Sequence, residues 1–441
     1  MGPLQRIAER FWFLPGLMCV AAVILSEALI SVDSHLDEPV SSGWAGTLFY
    51  RIGEAGTRDI LGTIAAASLG VAGTTFSITM AVLALTSSSY GPRLVRNFMA
   101  DRGNQTVLGV FVATFLYSLL VLRSVGSASN ASSAGTAFVP HLAVNTAIVL
   151  AIANVAAMVY FIHHISDSIQ IATLSGGVRA DLLAVIDRMY PESFGAAPPQ
   201  GPSRPEPDPT DGLHVHADQH GYVQTIDGRE LLDLMVGADL MAVLHVSPGH
   251  YVLDDTVLVS LHPAGRVSSA TREAARATFQ ISNARNPYQD IDFSVQQLTE
   301  MAVRALSPGT NDPNTAINAL DDLSSGLARL ASREVPSPVR VGDDDTPRVY
   351  AHVADPTGLV TGVVDQMRWY AASSPSVMHA TLTFIERVGE RARNAALRRE
   401  LTDQVVLVRE TFVSAGHHPH DVADFEARAM EVAANLAGHR S

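Results

Sequence analysis

The chain has 441 residues, of which 47% are hydrophobic and only 17% are charged, and its formal net charge is -14 at pH 7. This composition, together with a mean hydropathy of +0.18, favours a membrane protein over a soluble one. The acidic balance argues against a nucleic-acid partner, because such proteins usually carry a basic face. The single cysteine, Cys19, excludes a disulfide within the chain and a thiolate zinc cluster.

Arginine supplies all 30 cationic side chains, because the sequence contains no lysine. This excludes a phosphate-loop lysine, a Schiff-base lysine and a lysine that carries lipoyl or biotin. Residues 1–165 hold 8 arginines and 8 acidic residues, whereas the remainder holds 22 arginines and 36 acidic residues. Residues 1–165 are therefore predicted to be the membrane part.

Four apolar stretches are long enough to cross a bilayer, which takes about 20 helical residues. They predict a four-span transmembrane bundle with spans at about 11–32, 60–85, 105–125 and 138–162. Arginines gather before span one and between spans two and three, whereas the other two loops are acidic or uncharged. Because positive loops stay inside, both termini are predicted to be cytoplasmic.

Span two carries a stripe of small and hydroxyl-bearing residues on one helical face. Its main members are Thr63, Gly70, Thr74 and Ser77. Such a stripe permits close helix packing inside a bundle. Alternatively, its hydroxyl groups could line a hydrated path and replace the hydration shell of an ion. The sequence leaves both interpretations open.

The region after span four is predicted to be a cytoplasmic α+β region in several parts. Residues 166–190 continue span four as helix, and the proline-rich residues 191–211 form a linker. Residues 212–265 alternate apolar and polar positions, and the stretch Tyr251–Leu261 after a Pro-Gly turn resembles the half-barrel sandwich of lipoyl and biotinyl domains. Without a lysine, only a structural version of that β-barrel-like domain is expected.

Residues 266–441 are predicted to form a mostly α-helical domain. Helices are expected at 269–284, 291–306, 314–332, 358–373, 376–396, 398–415 and 420–437, and the Pro- and Asp-rich segment 335–345 is expected to be a loop.

One cytoplasmic turn has a distinctive polar sequence between two of these helices. Asp312 is predicted to cap the second helix, with Pro313 at its first position, and Asp290 to cap the first. Capping alone does not require Thr310, Asn311 and Asn314 nearby. These residues and Asp312 therefore form a candidate turn for an anion, a polar head group or a hard cation.

A second polar cluster lies near the C-terminus and has metal-binding residue types. It comprises His417, His418, His420, Asp421 and Asp424. Its spacing fits no standard zinc pattern, so no metal site and no cofactor are predicted. No nucleotide loop, nucleophile elbow or zinc-protease helix is present in the sequence, so an enzyme is the least favoured class.

Three segments resemble the bacterial predicted membrane proteins grouped as domain-of-unknown-function family 2254. They are Phe76–Val125, Gly221–Asp227 and the motif "RALSPGTNDPNTAINALDDL" at Arg304–Leu323. The resemblance covers nearly the whole chain and implies a multi-domain bacterial membrane protein with four spans and a large cytoplasmic part. It implies no activity and no catalytic residues.

Two functions remain as hypotheses. The first is an oligomeric pore or transport-related protein, in which span two lines the path and the cytoplasmic region regulates it. The alternative is a membrane-anchored sensor or scaffold whose cytoplasmic region binds a ligand or a protein. The expected partners are the lipid bilayer and further copies of the chain, and no nucleic acid.

Overall fold

The computed structural model describes residues 11–35, 53–90, 101–125, 139–168, 171–190, 207–208, 211–342, 345–351 and 355–438. The chain divides into two compact units, Met1–Thr173 and Leu174–Ser441.

The first unit contains four long apolar helices, each long enough to cross a membrane, which confirms the four predicted spans. Span three is the most buried of them, and helices from the other three spans all pack against it. The helix of span two begins earlier than predicted, because the polar turn before the apolar run is also helical. The helices are α1 (Phe13–His35), α2 (Glu54–Tyr90), α3 (Arg102–Ser124) and α4 (His141–Ser168).

Aspartates satisfy the free backbone amides at the starts of two spans. Asp101 precedes span three and accepts a hydrogen bond from the amide of Gly103 at 2.6 Å. Asp33, at the end of span one, accepts from the amides of Leu142 and Ala143 in the first turn of span four, at 3.1 and 3.0 Å. A carboxylate at a helix N-terminus is favoured by the unpaired amides and by the helix dipole.

The second unit contains two sheets and nine helices within the described residues. The five-stranded sheet has the order β1-β5-β3-β8-β7, and the three-stranded sheet has the order β4-β2-β6. Neither sheet closes into a barrel within the described residues, so the half-barrel sandwich stays a prediction. The strands are β1 (Leu213–His216), β2 (Gly221–Ile226), β3 (Met241–Leu244), β4 (Tyr251–Val252), β5 (Val257–His262), β6 (Phe279–Ser282), β7 (Val339–Val341) and β8 (Pro347–Tyr350).

The structure corrects two predictions about local structure in the second unit. The helix expected over 269–284 ends at Ala277, and strand β6 follows because it pairs antiparallel with β2. The segment 335–345, expected to be a loop, contains β7, which pairs with β8, and β8 pairs in parallel with β3. In each case a distant strand supplies hydrogen bonds that the local pattern does not reveal.

The remaining helices surround an apolar core with residues such as Leu327, Phe384 and Phe412 fully buried. Helix α5 follows span four in the chain and packs on α9, where Gly326 lies against Leu182; a Cβ at position 326 would come within 2.4 Å of that side chain. The helices are α5 (Ile171–Met189), α6 (Gly228–Ala238), α7 (Ser269–Ala277), α8 (Ile291–Ala305), α9 (Pro313–Ala331), α10 (Pro356–Tyr370), α11 (Pro375–Arg391), α12 (Ala395–Ser414) and α13 (Pro419–Gly438).

Candidate functional site

The hydroxyl stripe of span two lies on the side of the helix that faces away from its own bundle. Thr63, Gly70, Thr74 and Ser77 are all exposed. A Cβ placed on Gly70 would meet no atom within 4 Å. The opposite side of the same helix is buried and comprises Leu61, Ala65, Ser68, Ala72, Thr75 and Thr79. Packing within the described part of the chain therefore does not account for the stripe.

The three hydroxyl groups of the stripe all bond to their own helix. Thr63 donates to the carbonyl of Asp59 at 2.7 Å, and Thr74 donates to that of Gly70 at 3.0 Å. Ser77 donates to the carbonyl of the residue four positions earlier at 2.9 Å. These bonds occupy the hydroxyl protons and leave oxygen lone pairs directed outward. The stripe therefore offers acceptors to a water molecule or a cation.

The interior of the bundle contains a polar triad that the sequence reasoning did not identify. The amide of Asn154 on span four donates to Ser68 Oγ on span two at 2.7 Å. Its carbonyl oxygen accepts from Thr114 Oγ1 on span three at 3.1 Å. An asparagine inside an apolar span is the sequence signal for such a bond, but its partners depend on how the helices are rotated.

Apolar side chains close the bundle on both sides of this triad. Toward the Val125 end of span three, Leu61, Tyr117 and Val121 are buried with their neighbours in one cluster. Toward the Asp101 end, Phe111 and Phe161 are buried in another. The triad therefore joins three of the spans by hydrogen bonds between two apolar clusters. Other polar side chains are also buried in the described bundle, including Thr75, Thr79, Asn104 and Ser118.

Ionisable groups of the bundle lie near its two ends. At one end, His164 Nε2 lies 2.7 Å from a carboxylate oxygen of Asp101 and its ring stacks on Tyr160. At the other end, Arg123 bonds to Glu27 at 3.1 Å, with both side chains more than half exposed. These pairs join different spans at positions where the side chains remain accessible from outside the bundle.

The turn around Asp312 in the second unit forms the predicted helix cap. Asp312 accepts hydrogen bonds from the backbone amide of Thr315 at 3.2 Å and from its hydroxyl at 2.5 Å. These bonds lower the pKa of the Asp312 carboxyl. Thr310, Asn311 and Asn314 are exposed, and Asn311 has a left-handed backbone with φ 45. The carboxylate is thus engaged in capping, and the three other side chains remain on the surface.

The preceding helix begins with a buried arginine clasp. Asp290 caps α8, as predicted, and receives two bonds of 2.7 Å from the guanidinium of Arg285. Although burial lowers the pKa of Arg285, its bonds to Asp290 and Asp292 raise the value above the ordinary one. Gly249, with φ 94, lies directly against the Asp290 carboxylate. The clasp therefore fixes the turn before β4 to the start of α8.

The C-terminal histidines and aspartates do not gather at one point. His417 stacks on Phe412 with 4.2 Å between ring centroids, and its Nε2 lies 2.8 Å from the carbonyl oxygen of Ala372. Asp424 instead faces His379 at 3.7 Å. Across the described ranges, no three His, Cys, Asp or Glu side chains are placed to hold a metal ion together.

Comparison with known proteins places these features in a family. Residues 8–387 match the family model described as Predicted membrane protein (DUF2254). The chain is 33% identical over 442 aligned residues to the uncharacterized protein Mb1321c of Mycobacterium bovis and to the uncharacterized protein Rv1290c of Mycobacterium tuberculosis. Each alignment covers 98% of this chain and 80% of the relative. No solved structure matches the chain. The chain therefore belongs to the DUF2254 family of predicted membrane proteins, as the resemblance of its motifs indicates.

Proposed function

We propose that this membrane protein works as an oligomeric pore or transport component, in which the outward faces of span two from several copies line a shared path. The observation that carries the proposal is the position of Thr63, Thr74 and Ser77 on the side of span two opposite its buried face. Hydroxyl oxygens that face a lipid gain nothing, whereas the same oxygens around a common axis can replace water around an ion.

Apolar packing inside the single chain supports a path between copies rather than through one bundle. Apolar clusters lie on both sides of the Ser68–Asn154–Thr114 triad. Conduction through the middle of one described bundle would therefore require these packed layers to separate. A path between copies requires no such change, because the stripe is already on the surface of each chain.

A regulatory role for the cytoplasmic unit is supported by the way this unit holds α5. Arg179 on α5 bonds to Asp322 at 2.9 Å, and Asp187 accepts bonds from Arg329 and Arg333 at 2.8 and 2.9 Å. Only residues 169 and 170 separate α5 from the helix of span four. A change in the cytoplasmic unit would therefore move a helix that is covalently joined to a membrane span.

The proposal is tested by flux through vesicles that contain the purified protein. The double substitution Thr74→Leu and Ser77→Leu should abolish ion flux, because it replaces hydroxyl oxygens with bulky apolar groups. The control is Ala153→Leu and Ala156→Leu, which adds similar bulk to exposed positions of span four and should leave flux unchanged. Unchanged flux in the Thr74 and Ser77 variant would refute the pore.

The oligomeric state provides a second test. The native mass of the detergent-purified protein should correspond to three or more chains, because fewer copies of one helix cannot surround an axis. A monomer would contradict the shared path.

The same proposal assigns the protein to the bacterial cytoplasmic membrane with both termini inside. C-terminal fusions to alkaline phosphatase and to a green fluorescent protein should be inactive and fluorescent, respectively.

The sensor or scaffold alternative is favoured by an open cleft of about 400 Å³ beside α10 and α12. Arg368, Glu410, Thr411 and Ser414 supply its polar lining, and the neighbouring Trp369 is exposed. A thermal-shift screen of small metabolites against the full chain would support this role if a stabilising compound loses its effect in an Arg368→Ala variant. Absence of any shift would favour the pore.

A further inference from the structure

Three adjacent strands of the five-stranded sheet bring a group of histidines together around one serine. His214 on β1 lies opposite Ser260 on β5, and β5 also pairs with β3, which His245 follows in the chain. His262 is two positions after Ser260 on the same strand, so both point to the same face of the sheet. We refer to His214, His245, Ser260 and His262 as the histidine cluster.

The hydroxyl of Ser260 is shared by two imidazoles. Its Oγ lies 2.9 Å from His214 Nδ1 and 2.7 Å from His245 Nε2, and the serine is fully buried. The hydroxyl can donate a hydrogen bond to one ring and accept one from the other. It therefore joins β1 and the residue after β3 to β5.

His262 is the most buried imidazole of the cluster, with only 5% of its surface exposed. Its Nε2 is buried and has no hydrogen-bond partner. Gly212, just before β1, covers this nitrogen so closely that a Cβ there would lie 2.6 Å from it. The neutral ring therefore packs directly under the backbone at the start of β1, in a place that offers no acceptor for a second ring proton.

The groups around His262 shift its pKa in opposite directions. Burial is the main cause that lowers its pKa, and His214 lowers it further, whereas Asp211 and Asp208 raise it by a smaller amount. The ring is consequently neutral at pH 7. The two carboxylates lie in the segment that precedes β1, where they partly offset the cost of a charged His262 ring in the closed form.

We propose that the histidine cluster is a pH-sensitive latch that holds the start of β1 against the sheet at neutral pH and releases it on acidification. A buried imidazolium without an acceptor is costly. Acid therefore favours an opened form in which the His262 ring reaches water. In the sequence, the start of β1 follows directly after the predicted linker 191–211, which connects the spans to the sheet.

The direction of the effect follows from the sign of the shift. Because the pKa of His262 is lower in the closed form than its ordinary value, the open form binds protons first as the pH falls. The latch is thus fully stable above about pH 6.5, which is the ordinary pKa of histidine. It loses stability progressively below that pH.

Amide hydrogen exchange of the full chain in detergent at pH 7.5 and 5.5 tests the latch, with rates corrected for intrinsic exchange. Peptides covering Gly212–His216 should open about tenfold more often at the lower pH, since a free imidazole gains about that factor in protonation one unit below its pKa. His262→Gln should remove this pH effect. His420→Gln, which changes a histidine that is 83% exposed, should retain it.

A second variant guards against failure of His262→Gln to fold. Asp208→Asn combined with Asp211→Asn removes the carboxylates that raise the pKa of His262 in the closed form. The closed form then resists protonation more strongly, so opening should begin at a higher pH than in the wild type. The latch is refuted if protection of Gly212–His216 is equal at both pH values. It is equally refuted if the His262→Gln protein keeps the wild-type pH effect, or if the double aspartate variant opens at the wild-type pH.

Discussion

The two units of the chain differ in where they place apolar and polar side chains. In the membrane unit, exposed positions of span four are apolar, including Val149, Ile152 and Val155, whereas an amide–hydroxyl triad is buried inside the bundle. In the second unit, large apolar side chains such as Phe384 and Phe412 are fully buried. The difference teaches that an exposed apolar side chain costs little where lipid surrounds the unit, because lipid solvates apolar groups as well as the protein interior does.

The largest expected effect is the loss of a buried aromatic side chain from the second unit. Phe412 is fully buried and stacks on Phe425 with 4.0 Å between ring centroids. Phe412→Ala should therefore lower the free energy of unfolding of this unit by about 3–5 kcal/mol. The measurement is pulse proteolysis of the detergent-solubilised full chain in increasing urea.

Phe76→Ala provides the matched comparison in the membrane unit, because Phe76 is 47% exposed on span two. It should change the thermal unfolding of the bundle by no more than the equivalent of about 0.5 kcal/mol. Comparable losses for both variants would mean that the two units are stabilised in the same way, and the contrast between them would fail.

A smaller effect is expected where α5 crosses α9. Gly326→Val would force a side chain into the space of Leu182, which is fully buried. Such overpacking should destabilise the second unit by about 1–3 kcal/mol in the same proteolysis measurement. Gly176→Val on α5 is the control, because a Cβ there would meet nothing within 4 Å. If Gly326→Val is as stable as this control, the close crossing does not exist.

The smallest effect is expected for the polar triad of the bundle. Asn154→Leu keeps the approximate volume but removes bonds to Ser68 and Thr114, and hydrogen bonds between membrane helices contribute about 0.6 kcal/mol on average. The thermal unfolding temperature in detergent should therefore fall slightly. Asn145→Leu, which removes only a bond to the carbonyl of His141 in the same helix, should change it less. A loss of several kcal/mol would show that polar bonding dominates the bundle.

Local sequence signals predicted the parts of the fold that depend on a single segment. The four spans follow from long apolar runs, and the caps at Asp290 and Asp312 follow from one residue and its helix. Strands β6, β7 and β8 were not predicted, because each is at most four residues long. Strands β6 and β8 pair with strands far away in the sequence, and among the described strands β7 pairs only with β8.

The same limit applies to the candidate sites. The sequence identified the hydroxyl stripe of span two, but not the direction in which it faces, since the residues on both sides of this helix are small and apolar. His214 and Ser260 are 46 positions apart, and only the strand register brings them into contact. The Ser68–Asn154–Thr114 triad likewise depends on the rotation of three helices.

The contact between Asp33 and the start of span four has a consequence for biosynthesis. The carboxylate and the two amides that it binds are 109 and 110 positions apart in the chain. The contact therefore cannot form until the ribosome has made almost the whole membrane part, and until then the carboxylate of Asp33 lacks these two amides as partners. The last span to emerge during synthesis is thus the one that fixes the end of the first.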